Sequence, residues 1–80
     1  MHYVYIIQSI QFPDQIYVGL THNPKERLSN HNYGCSAHTS KYMPWKMIVS
    51  LEFEDKSKAM EFEKYLKTGS GRGFMASRFL

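Results

Sequence analysis

Between Tyr17 and His31 the chain reads YVGLTHNPKERLSNH, which places a phenol, the Arg27 guanidinium and an imidazole in one short stretch. A second phenol, Tyr5, lies upstream in YVYIIQ, and a carboxylate, Glu63, lies far downstream. Such groups suit chemistry on an anion. A guanidinium forks onto phosphate or carboxylate oxygens, and an imidazole moves protons near neutral pH. A phenol ordinarily titrates near pH 10, so it acts as a base only where positive charge lowers that value. Taken singly, each residue also has a plain structural use. Strand tyrosines commonly serve as core or rim aromatics, and Arg27 with His31 could be a solvated helix face.

The elements that would position these groups are legible in outline. Tyr3–Gln8 (YVYIIQ) and Gln15–Leu20 (QIYVGL) are aromatic and β-branched, which predicts two strands. Pro13 and Asp14 between them signal a turn of hairpin length. An antiparallel pair brings Tyr5 near Tyr17, with the register left open. Asn23 predicts a helix cap, Pro24 its first position, and Glu26 the partner in a capping box. That helix is expected to run to about Asn32, with Gly34 ending it. Arg27 and His31 then share one face.

GCSAHTSKYMP reads as a loop. Trp45–Phe53 alternates, with Trp45, Met47, Val49, Leu51 and Phe53 facing one way and Ile48 as the exception, which predicts a half-buried strand. EDKSKAMEFEKYLKTG predicts a second helix, capped by Asp55 and closed near Gly69. In the tail, GSGRG lacks the lysine and flanking strand of a P-loop and reads as a turn, followed by a last helical turn or two. The expected fold is α/β (α+β), a small three-stranded, mostly antiparallel sheet flanked by helices. Its order is β-β-α-β-α plus a C-terminal helical tail, in a single domain over residues 1–80.

Glu63 interrupts a pattern. The apolar face of the second helix takes Ala59, Phe62 and Leu66, and Glu63 falls inside the same arc. A carboxylate there must be paired, metal-bound or at the edge of a cleft, because burying it alone is costly. The plain alternative is a narrow face with Glu63 at its rim beside a lysine.

Composition bounds the rest. Apolar residues make up 42% of the 80-residue chain and aromatics 15%, enough for a compact core. Net charge is +3, which permits a polyanionic partner without demanding one. Cys35 is the only cysteine, so an internal disulfide is excluded and a reducing compartment fits. No apolar run reaches the length of a membrane span, and the start lacks signal-peptide character. The expected setting is cytoplasmic.

In order and spacing, Tyr5, Tyr17, Gly19, Arg27, His31 and Glu63 resemble the GIY-YIG endonuclease family, in particular its small stand-alone members. YVY (Tyr3–Tyr5) stands for the first signature triplet and YVG (Tyr17–Gly19) for the second. ERLSNHNYG, HTSKYMPW and LKTGSGRGF are also similar to those members, so the resemblance covers essentially the whole chain. Tyr3 stands where the family name has glycine. The resemblance implies metal-dependent hydrolysis of DNA phosphodiesters. Glu63 would hold Mg²⁺, or another divalent cation such as Mn²⁺. Arg27 would grip the phosphate, and either Tyr17 or Tyr5 would activate water while the other donates a hydrogen bond. His31 would orient a tyrosine or relay its proton, and Gly19 would leave room for the phosphate. A homodimer is one way for so small a domain to cut both strands.

Three other functions compete. A non-catalytic nucleic-acid-binding module of the same fold would use the basic balance and exposed Tyr33, Tyr42 and Trp45, but gives Glu63 no use. A zinc site could draw on His22, His31, Cys35 and His38, although their spacing matches no ordinary pattern. A covalent tyrosine nucleophile would need more basic groups around the phosphate than Arg27 alone.

Overall fold

The computed structural model describes residues 1–80. The elements follow in the order β1 (His2–Ser9), β2 (Ile16–Thr21), α1 (Pro24–Asn32), α2 (Ala37–Ser40), β3 (Trp45–Phe53), α3 (Lys56–Leu66) and α4 (Gly69–Arg78). The sheet order is β2-β1-β3 and both pairings are antiparallel. This is the expected α+β architecture, with helices on both faces of the sheet.

The central position of β1 explains its composition. Val4, Tyr5, Ile6 and Ile7 are all buried, because each face of this strand is covered and consecutive side chains point to opposite faces. Val4 and Ile6 pack with Val18, Ala59, Leu66 and Met75, so this side of the sheet carries α3 and α4. Tyr5 and Ile7 pack with Trp45, and Leu28 of α1 joins them.

The third strand corrects the expected alternation. Ile6 pairs with Val49 but Ile7 pairs with Met47, so Ile48 is the extra residue of a bulge. The bulge reverses the facing of the residues on either side of it. Val49 and Phe53 pack with the Val4–Ile6 core, as Ile48 does, whereas Trp45 and Met47 pack with Tyr5 and Ile7 on the opposite face. The single exception in the pattern was therefore the switch point between two faces.

Local chemistry sets the helices. The Asn23 side chain accepts from the Glu26 backbone N–H at 3.2 Å, while the Asn23 N–H itself donates to Thr21 Oγ1 at 3.1 Å. Only half of the anticipated capping box forms. Asp55 caps α3 by accepting from the Ser57 N–H at 2.8 Å.

The tail differs from expectation: Gly69 does not close a helix and GSGRG is not a turn. Thr68 caps a new helix by accepting from the Gly71 N–H at 3.1 Å, and α4 begins at Gly69 itself. Gly71 is required there, because a Cβ would collide with the carbonyl of Tyr65 at the end of α3. Close helix packing, rather than turn geometry, accounts for that glycine. The expected loop after Gly34 likewise holds one short helical turn, α2.

Candidate active site

The two tyrosines meet on one face of the sheet. Tyr5 pairs with Gly19 and Ile7 with Tyr17, so Tyr5 and Tyr17 lie diagonally across β1 and β2, with ring centroids 6.2 Å apart. Helix α1 then presents Arg27 and His31 to the same place. The Arg27 Nε donates to the Tyr5 hydroxyl at 3.4 Å, and His31 Nε2 lies 2.9 Å from that oxygen. His31 also stands edge-on to Tyr17 at 5.0 Å between ring centroids.

The other nitrogen of His31 lies 2.8 Å from Thr39 Oγ1, inside α2. One proton arrangement satisfies the whole chain of contacts. Arg27 donates to the Tyr5 oxygen, the phenol proton goes to Nε2, and Nδ1–H donates to Thr39. Thr39 is completely buried and its carbonyl accepts from the Trp45 Nε1–H at 2.8 Å. Neither Thr39 nor the anchoring of its helix was anticipated, since a four-residue helix leaves no periodicity to detect. Trp45, which only the binding-module alternative needed exposed, is 4% exposed and belongs to this support. Its backbone is held by Asn32, whose Oδ1 accepts from the Trp45 N–H at 2.6 Å. Tyr42 is half-buried, and only Tyr33 of the three aromatics stands clear in solvent.

Burial sets the titration of this cluster. The Tyr5 phenol is pushed above the ordinary range chiefly by desolvation, with the Arg27 hydrogen bond pulling the other way. His31 is pushed below its ordinary value, first by burial and then by the Arg27 charge. Both are thus held neutral at pH 7.

Gly19 has a different role from the one anticipated. A Cβ on Gly19 would stand 2.5 Å from the Tyr5 hydroxyl oxygen, so the missing side chain accommodates the phenol. That space is already filled and is not left open for a phosphate.

Glu63 is paired with Lys67 one turn along α3 at 2.5 Å. Its charge reaches the Tyr5 phenol, where it opposes ionisation. The carboxylate side chain is 18% exposed and its lysine partner 54%. A hard divalent cation takes one or two carboxylates and keeps several waters. A half-shielded glutamate whose counter-ion is an exposed, flexible lysine fits such an ion. No three His, Cys, Asp or Glu side chains converge on a metal position. The zinc combination of His22, His31, Cys35 and His38 is therefore not assembled, and both nitrogens of His31 are already engaged.

A cleft of about 530 Å³ opens beside Tyr17, lined also by His38, Lys67 and Arg72. Of these cleft residues the sequence makes Tyr17 a candidate base and names His38 only for a zinc site, and it singles out neither Lys67 nor Arg72.

The profile of the GIY-YIG catalytic domain matches residues 1–75. The chain belongs to the GIY-YIG family. It is 37% identical over 68 residues to a UPF0213 protein of Clostridium perfringens, covering 84% of this chain and 71% of that one. It is 35% identical over 65 residues to a structure-specific endonuclease subunit SLX1 homolog of Giardia intestinalis, covering 76% of this chain and 18% of that protein. This GIY-YIG chain thus spans about a fifth of such SLX1 relatives. The solution structure of a UPF0213 protein from Bacillus halodurans has the same fold, with a TM-score of 0.56 at 27% identity over 95% of this chain and 82% of that one.

Proposed function

We propose that this GIY-YIG domain is an endonuclease that hydrolyses phosphodiester bonds of DNA with the help of a divalent cation. The observation that carries it is the meeting of Tyr5, Tyr17, Arg27 and His31, with the Glu63 charge reaching Tyr5, in a chain of this family. Relatives named as structure-specific endonuclease subunits support the substrate class.

The two tyrosines take different parts. Tyr5 is completely buried, its oxygen engaged by Arg27 and His31, and burial keeps it protonated. It holds Arg27 and His31 in place and serves as a donor rather than a base. Tyr17 is half-buried and lines the cleft, where water and a phosphate can reach its phenol. The Arg27 charge acts on the Tyr17 phenol across the same site. Tyr17 takes the proton from the attacking water. Arg27 is exposed and stabilises the phosphate as charge builds on its oxygens. His31 stays neutral and fixes Tyr5 while its edge packs on Tyr17.

Glu63 is the residue that would hold Mg²⁺ or Mn²⁺, whose chemistry when bound is to neutralise charge on the phosphate and the departing oxygen. The lone, exposed thiol of Cys35 is consistent with the cytoplasmic setting proposed with this function. Supercoiled plasmid incubated with wild type and Glu63→Gln, with Mg²⁺ or with EDTA, tests the proposal. Nicking by wild type in Mg²⁺ alone supports it. Nicking that persists in EDTA, or in Glu63→Gln at the wild-type rate, removes the cation and its ligand.

A further inference from the structure

One histidine of the unassembled zinc combination, His22, has a partner outside that set. Tyr3 pairs with Thr21 in the β1–β2 ladder, which sets His2 and His22 opposite each other at its open end. Their ring centroids are 5.0 Å apart and the rings are tilted by 54°. Two imidazoles bound tetrahedrally to one Zn²⁺, at about 2.0–2.1 Å from each nitrogen, have centroids roughly 5 Å apart. The observed separation therefore matches that of a shared metal.

The proton arrangement of His22 fits the same use. Its Nδ1 lies 2.9 Å from the Met1 carbonyl oxygen, which can only accept, so Nδ1 carries the hydrogen and Nε2 the free lone pair. Metal-bound histidines are held in this way, the far nitrogen donating to a partner that fixes tautomer and orientation. The backbone beside His22 is held as well. Thr21 Oγ1 accepts from the Asn23 N–H at 3.1 Å, and Asn23 in turn caps α1. His22 is exposed and His2 half-buried, so an ion can reach the pair from solvent.

The donor set selects the ion. No third His, Cys, Asp or Glu joins the two imidazoles, so water fills the remaining positions. Such nitrogen donors suit Zn²⁺, Ni²⁺ and Cu²⁺, whereas Mg²⁺ takes oxygen. We propose that His2 and His22 form a surface site for a late first-row divalent metal, with Zn²⁺ as its representative. The bound ion clips the first residue of β1 to the junction of β2 and α1, the helix that carries Arg27 and His31. This site is separate from Glu63 and does not depend on the endonuclease function.

Isothermal titration of the chelator-treated protein with Zn²⁺ tests this, in a Cys35→Ser background because that exposed thiol could itself take zinc. One ion per chain is expected, still bound in a large excess of Mg²⁺. Imidazole ¹H–¹⁵N spectra should show the ring nitrogens of His2 and His22 shifting together along the titration. His2→Gln and His22→Gln should each abolish the binding, and His38→Gln, which removes an exposed histidine of α2, should keep it. Zn²⁺ should raise the urea midpoint of the parent and not of the first two variants, because the unfolded chain does not hold the pair together. Absence of binding, shifts at one of the two rings alone, or loss of binding in His38→Gln overturns the proposal.

Discussion

The hydroxyl of Tyr5 lies 2.9 Å from Nε2 of His31, completely enclosed in the protein, and Arg27 donates to the same oxygen. A buried phenol anchored in this way supports its neighbours and does not take a proton from solvent water. The role of base is therefore proposed for Tyr17, the phenol left beside the cleft.

Replacing Tyr5 by Phe keeps the ring in its core and removes the oxygen. His31 Nε2 then loses its partner inside the protein, which should destabilise the fold by about 1–3 kcal/mol. Urea unfolding reads that loss. Nicking should fall at least about tenfold, as Arg27 and His31 are no longer held to one atom.

Gly19→Ala tests the same packing from the opposite strand. The new methyl would stand 2.5 Å from the Tyr5 oxygen, closer than any relaxed contact, so the phenol or β2 must shift. A loss of about 1–3 kcal/mol is expected in denaturant unfolding. Unchanged stability would mean that Tyr5 has room to move, against the tight packing described.

His31 makes stability depend on pH in a definite direction. Burial, and then the Arg27 charge, hold its folded pKa below the 6.5 of a free imidazole. Above pH 6.5 both folded and unfolded chains keep it neutral, and its contribution is complete. As pH falls below that value the unfolded chain takes up a proton first, so stability declines toward the folded pKa. His2 leans the same way, so the comparison is with His31→Gln. Urea midpoints between pH 5 and 8 should show the wild-type decline reduced in that variant, by up to about one proton in the linkage slope. Equal slopes in the two proteins would contradict the assignment.

Much of this arrangement is written locally in the sequence. Aromatic and β-branched runs mark β1 and β2, Asn23 and Pro24 mark the start of α1, and the spacing of Arg27 and His31 puts both on the face that reaches Tyr5. Other features depend on packing between distant segments. The bulge at Ile48 sends Trp45 and Val49 to opposite faces, and strict alternation hides such a switch. Helix α4 begins in glycines because Thr68 caps it and Gly71 lets it approach Tyr65, neither of which propensity registers. Gly19 resembled a place for phosphate until the partner strand filled it with Tyr5. Thr39 and the choice between the two tyrosines become visible only when α1, α2 and the sheet are together.

The most direct test of the central claim is single-turnover nicking of plasmid by wild type and Tyr17→Phe in Mg²⁺, at protein concentrations giving equal retention of the DNA. The expected result is nicking by wild type and none above background by Tyr17→Phe, with both proteins equally folded. Nicking by Tyr17→Phe at the wild-type rate would contradict the assignment of that phenol as the base.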